Sequence, residues 1–169
     1  MGPLVAGVGF ALLVMAGNPG SYWSTCFPGI AVLGLGMAIA VAPLTTTVMN
    51  TADTALAGTA SGVNNAVART GGVLAVAVLG VLVFGRFRAD LAESVARVST
   101  APAARAFVAD AGTRIAAARV PPELPDAVAR ALRAAVNDSF TAAFRLAMLV
   151  AAALAAGAAA SAAFLVDRP

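Results

Sequence analysis

The feature that most constrains this chain is the absence of charge from its first third. No charged side chain occurs before Asp53, and only 11% of the 169 residues are charged. An average soluble domain carries about 25% and needs polar groups to cover its surface. The uncharged runs reach the roughly 20 residues that a membrane-spanning helix requires. The sequence therefore predicts an all-α, polytopic membrane protein.

Four apolar segments are the candidate transmembrane helices. Three lie within residues 1–85, at about 3–17, 27–49 and 58–85, and the fourth lies within residues 139–169, which also contain a short polar tail. The first is short for a span. Pro43 lies inside the second and predicts a helix kink. Such a kink is tolerated in a membrane because neighbouring hydroxyls or helices satisfy the freed carbonyl.

The segment 86–138 has a different character, because it carries most of the charges. Apolar residues recur in it at helical spacing, at Phe87, Leu91, Val95 and Val98. Acid–arginine pairs stand four residues apart in the favourable order, as in Glu93–Arg97, Asp110–Arg114 and Asp126–Arg130. We predict an amphipathic extramembrane loop with two or three short surface helices, either a cap or partner surface or a solvated connector. The last span is expected to start at N-cap residues, Asn137, Asp138 or Ser139.

The third candidate span carries a stripe of small and polar residues on one helix face. Spacings of four, three, four and three join Gly58, Gly62, Asn65, Arg69 and Gly72. The neighbouring Asn64 and Gly71 extend the set, and the large apolar side chains lie elsewhere. Glycines at this spacing let two helix backbones approach closely. Polar groups in a membrane need partners. The stripe predicts a helix-packing seam, which Gly62→Leu is expected to disrupt.

Several classes of function are disfavoured by composition. The chain has no histidine and a single cysteine, Cys26, so it lacks the commonest metal ligand and the commonest general base. We expect no metal, no cofactor and no enzymatic activity. The arginines interleave with acids instead of forming a basic stripe, which argues against nucleic-acid binding.

Four runs of residues together resemble the major facilitator superfamily, and more narrowly its fourteen-helix drug:proton antiporters of the EmrB/QacA type. These runs are Gly34-Leu35-Gly36-Met37, Ala42-Pro43-Leu44, Ala57-Gly58-Thr59-Ala60-Ser61-Gly62-Val63-Asn64-Asn65 and Arg69-Thr70-Gly71-Gly72-Val73-Leu74-Ala75-Val76-Ala77. The resemblance covers 27–85 well, and the charged loop and the last helix match only in layout. The individual motifs are loose, but their order and spacing together are fairly specific.

The resemblance implies that the four spans correspond to helices eleven to fourteen of such a transporter. It also implies that 86–138 is the extracytoplasmic loop before the last helix, although Arg86 and Arg88 beside the third span oppose this by the positive-inside rule. The function implied is proton-coupled efflux of small amphipathic compounds by a longer protein in the bacterial inner membrane. The partners are then the lipid bilayer and the rest of the transporter, in cis or in trans. No proton-coupling residue can be assigned, because 58–85 contains no acid.

An alternative is a complete small four-helix membrane protein that serves as a subunit or structural partner of a membrane complex. A four-helix multidrug exporter fits less well, because that class relies on an intramembrane glutamate in its first helix. The first two candidate spans contain no charge.

Overall fold

The computed structural model is helical throughout the part of the chain that it describes, which is residues 1–15, 22–51, 56–98, 106–111 and 125–166. No strand occurs in these ranges, so the predicted all-α class is confirmed there. The helices are α1 (Gly2–Val14), α2 (Tyr22–Thr25), α3 (Phe27–Thr51), α4 (Ala57–Val98), α5 (106–111) and α6 (Asp126–Val166). The chain divides into two compact units, one of Met1–Ala77 with Met148–Pro169 and the other of Val78–Ala147.

Helices α1 and α3 of the first unit pack along an antiparallel seam. Four facing pairs form it, and each contains one glycine: Gly2 with Ala40, Ala6 with Gly36, Gly9 with Leu33, and Leu13 with Gly29. A Cβ atom added to Gly9 would lie 2.7 Å from the Cα of Leu33, and one added to Gly2 would lie 2.7 Å from the Cα of Ala40. The two backbones are therefore in direct contact, which is how small residues hold membrane helices together.

The neighbouring face of α1 contacts the last helix within the same unit. A Cβ atom added to Gly7 would lie 3.5 Å from the Cβ of Ala155 and 3.6 Å from the carbonyl oxygen of Ala152 in α6. These are ordinary van der Waals distances. Small residues thus line α1 on two faces, one toward α3 and one toward α6.

Helix α1 is shorter than the predicted span. It ends at Val14, where the Met15 amide donates to the Leu12 carbonyl at 3.1 Å. Its 13 residues make about 20 Å of helix, less than the roughly 30 Å of a hydrocarbon core. The predicted end at Gly17 and the turn that follows lie outside the described residues.

Three aromatic side chains cluster at the start of α3. The rings of Tyr22 and Trp23 meet edge to face with centroids 5.9 Å apart, and Trp23 lies 5.2 Å from Phe27. All three are exposed, Trp23 by 68%. Exposed tyrosine and tryptophan of this kind are typical of a membrane–water interface.

Helix α4 continues far past the predicted end of its span at Gly85. Its 42 residues make about 63 Å of helix, roughly twice the hydrocarbon thickness of a bilayer. Neither glycine nor proline occurs between Gly85 and Pro102, so no helix-breaking residue ends α4 directly after Gly85. Ion pairs one turn apart also support this part: Arg86 Nε lies 2.8 Å from Asp90, and Arg97 lies 3.5 Å from Glu93.

The second unit has its own hydrophobic core, which we call the head core. It is built from α4, α5 and α6 by Phe87, Leu91, Val95, Phe107, Ala111, Leu132, Ala135 and Ala143. Phe87, Leu91 and Leu132 are completely buried. The helical spacing of Phe87, Leu91 and Val95 thus identifies the buried face of this part of α4, whereas Val98 is 40% exposed.

The predicted N-caps of the last span are wrong. Helix α6 begins at Asp126, directly after Pro125, and passes through Asn137, Asp138 and Ser139 without a break. The reason is burial. Apolar positions of α6 reach the head core on both sides of this polar run, so the packing holds the polar run in the helix although capping residues favour helix ends. Nor is 86–98 a separate short helix, because it continues α4.

Candidate functional site

The polar stripe predicted on the third span lies on the first five turns of α4, in the first unit. Arg69 and Asn65 are exposed, and Asn64 is half-buried. A Cβ atom added to any of the four glycines would meet no heavy atom within 4 Å among the described residues, which holds for Gly58, Gly62, Gly71 and Gly72. The residues of the stripe all lie on α4, and no other described helix of this chain approaches its glycines. The packing seam that the stripe predicts stays a prediction.

The apolar side chains of the same part of α4 are uncovered as well. Five of them are more than half exposed, namely Val63, Val67, Val73, Leu74 and Val76. The most apolar stretch of the helix is 0% buried within the protein. A contiguous exposed apolar surface of this size is rare in a soluble monomer and marks contact with membrane or protein.

Among the described residues, two helices are long and apolar enough to cross a membrane, α4 and the part of α6 from Asp126 to Phe164. Two further apolar stretches of helix, Gly2–Val14 and Phe27–Val41, are shorter than the length required of a membrane span. Helix α3 itself runs on to Thr51, past Pro43. The structure does not describe the side chains around Pro43, and the predicted kink there stays a prediction.

Acidic groups of the described residues do not converge on a metal position. No set of three or more His, Cys, Asp or Glu side chains there is arranged to hold a metal ion. Within the described part of α4, no acid precedes Asp90, so the stripe has a cation, amides and small residues but no proton-carrying carboxylate. Chemically, it can pack against a helix, donate hydrogen bonds and pair with an anion.

Sequence reasoning missed the seam between α1 and α3. Its members recur at spacings of four, three and four on both helices: Gly2, Ala6, Gly9 and Leu13 on α1, and Gly29, Leu33, Gly36 and Ala40 on α3. That periodicity is visible in the sequence and is a known signal for close helix packing. It becomes specific only when the two helices are aligned antiparallel, so that each glycine faces a larger residue.

Comparison with known proteins indicates transport. The chain is similar to the probable actinorhodin transporter of Streptomyces coelicolor, with 42% identity over 93 residues. This match covers 54% of the chain and 16% of that transporter, so the chain matches about a sixth of the relative's length. No protein-family model matches the chain, and no solved structure does. The relative is named as a probable transporter, and two of the described helices could span a bilayer. Together these findings indicate a transport function and a membrane location.

Proposed function

We propose that this chain is the C-terminal part of a major facilitator transporter of the fourteen-helix drug:proton antiporter type. The whole protein exports small amphipathic compounds in exchange for protons across the cell membrane. The observation that carries the proposal is the uncovered first half of α4, with apolar and polar faces that both lack partners within the described chain. The identity to a transporter over 93 residues supports it.

The two faces of α4 have different natural neighbours. The large apolar side chains suit lipid, since they match hydrocarbon and need no hydrogen bonds. The stripe with Arg69 does not, because charged and amide side chains within a membrane are costly unless they meet polar partners or water. We assign the stripe to contact with the transporter's other helices or with its water-filled path.

This assignment explains why the glycines of the stripe have open space around them. In major facilitator transporters the substrate site lies at the interface between the two halves, and helices must approach closely to form it. Gly58 and Gly62 allow that approach, and Arg69 supplies a cation to a partner carboxylate or a substrate. The carboxylates that carry protons belong to other parts of the transporter, since 58–85 contains none.

Gly62→Leu tests whether the stripe packs against helices outside this chain, because its effect is expected to differ between the 169-residue chain alone and the longer transporter. In the 169-residue chain alone, we expect no loss of stability, because a Cβ atom at Gly62 meets nothing within 4 Å. In the longer transporter, the leucine overpacks the interface, at a cost of about 1–3 kcal/mol, and export of the dye ethidium falls. Detergent unfolding of the chain and ethidium efflux from cells measure the two effects.

The control is Val63→Leu at the next residue, which is 58% exposed and assigned to lipid. It is expected to leave both chain stability and dye export unchanged. Normal export by the Gly62→Leu transporter contradicts the proposed seam. A destabilised 169-residue chain contradicts it too, and favours a complete four-helix protein whose own helices cover the stripe.

A further inference from the structure

Helix α4 changes from apolar to charged within the second unit. The uncharged run of the helix ends just before Arg86, and Arg88 follows two residues later. On the apolar side of this boundary, Val81 is 76% exposed and Phe84 is 44% exposed, whereas on the charged side Phe87 is completely buried in the head core. An apolar surface that the protein leaves uncovered suits lipid, and a packed core with charges around it suits water. The boundary therefore marks where α4 leaves the membrane.

Val81, Phe84 and Arg88 lie on one face of α4, because they are spaced by three and four residues. The Cα–Cβ bond of a helical residue tilts toward the N-terminus of its helix. At Arg88 this tilt is toward Phe84 and the apolar run. An arginine can lay its methylene groups along apolar surface while its guanidinium stays in the polar layer. The face thus presents a cation beside an apolar strip, which is the arrangement that the phosphate and the acyl chain of a phospholipid require.

Arg88 is the arginine at this boundary that is available to a ligand. It is exposed, and no ion pair or hydrogen bond engages it among the described residues. Arg86 is held differently, since its Nε lies 2.8 Å from the carboxylate of Asp90, one turn farther from the apolar run. Arg145 of α6 is half-buried. Its Cα–Cβ bond tilts away from the apolar run of its own helix, which begins at Leu146.

We propose that Arg88, Phe84 and Val81 bind one anionic phospholipid. The guanidinium donates hydrogen bonds to two oxygens of the lipid phosphate, a bidentate geometry that arginine favours, and an acyl chain lies along Phe84 and Val81. Free phosphate has no acyl chain and gains nothing from the two apolar side chains, so the site is one for lipid. This inference rests on the membrane location of the chain and not on the proposed transport function.

The test is native mass spectrometry of the full 169-residue chain in non-ionic detergent micelles, titrated with phosphatidylglycerol and with phosphatidylcholine of the same acyl chains. We expect the wild type to bind phosphatidylglycerol about fivefold more tightly, which is the effect of one arginine near anionic lipid. Arg88→Gln should abolish this preference, and Arg88→Lys should keep most of it because the cation remains. Phe84→Ala should weaken the binding of both lipids, since the acyl chains of both use the apolar strip.

Arg133→Gln is the matched control for the loss of charge. Arg133 is an exposed arginine of the same unit, so its replacement removes the same charge as Arg88→Gln. It lies about 20 Å of helix before the uncharged run of α6. The control should therefore keep the preference for phosphatidylglycerol.

Three results overturn the proposal. One is equal binding of the two lipids by the wild type. Another is an equal loss of preference in Arg88→Gln and Arg133→Gln, which means that the lipid senses only the overall charge of the unit. The last is displacement of phosphatidylglycerol by an equal concentration of glycerol phosphate, which means that the site takes a free anion. Because Arg88 is exposed, each variant should keep its amide protection in 86–98, so that lost preference is not lost folding.

Discussion

Replacing Gly36 with leucine is expected to separate α1 from α3 and to destabilise the first unit by about 3 kcal/mol or more, at the upper end of measured overpacking costs. A Cβ atom at this position would meet the backbone of Ala6, with the Ala6 Cα 2.7 Å away. Backbone cannot rotate out of the way as a flexible side chain can. The helices must therefore move apart along the whole seam, and the other three close pairs are lost with this one.

Gly34→Leu is the matched control for this prediction. It lies two residues earlier on α3, and a Cβ atom there meets nothing within 4 Å. Because leucine is a better helix former than glycine by up to about 1 kcal/mol, the control should be neutral or slightly stabilising. Trp23, the chain's single tryptophan, reports unfolding in an SDS titration. Equal stability of the two variants would show that the seam does not hold α1 and α3 together.

Phe87→Ala is expected to destabilise the head core by about 3–5 kcal/mol, the usual cost of removing a buried phenylalanine ring. Phe87 is 0% exposed and packs where α4, α5 and α6 meet. The cavity lies in a small core of few residues, so little remains to compensate for it. Amide protection in 86–98 and 126–140 should fall together, because the two segments share this core.

Phe84→Ala provides the comparison for the head core. Phe84 lies three residues earlier on the same helix but is 44% exposed, so its truncation should cost less than about 1 kcal/mol. Hydrogen exchange read by mass spectrometry resolves the two segments without requiring the whole chain to unfold reversibly. If amide protection in 86–98 is the same in the two variants, then the second unit does not have a packed core.

Periodicity and length predicted much of this fold. The apolar runs predicted helices, and the described residues contain no other regular structure. The spacing of Phe87, Leu91 and Val95 identified the face that the second unit buries. These inferences succeed because they depend on local repetition, which a single sequence displays.

Features that depend on tertiary contacts could not be predicted in the same way. Asp138 and Ser139 have the chemistry of helix caps, yet the core contacts of Leu132 and Ala143 on either side keep them in the middle of α6. Gly36 and Gly9 show no partner until α1 and α3 are aligned. The sequence predicts separate surface helices in the charged segment because the composition changes at Arg86. A helix need not break, however, where its surroundings change from apolar to aqueous.

The proposed function is that this chain belongs to a transporter that exports amphipathic compounds with protons as the driving ion. It is tested most directly by dye efflux from cells that lack their own export pumps and express the longer protein containing this chain. The account predicts that these cells hold less ethidium, and less of other amphipathic dyes, than cells with empty vector. A proton ionophore should abolish the difference. Equal dye retention with the protein present in the membrane, or export that survives the ionophore, would contradict the account.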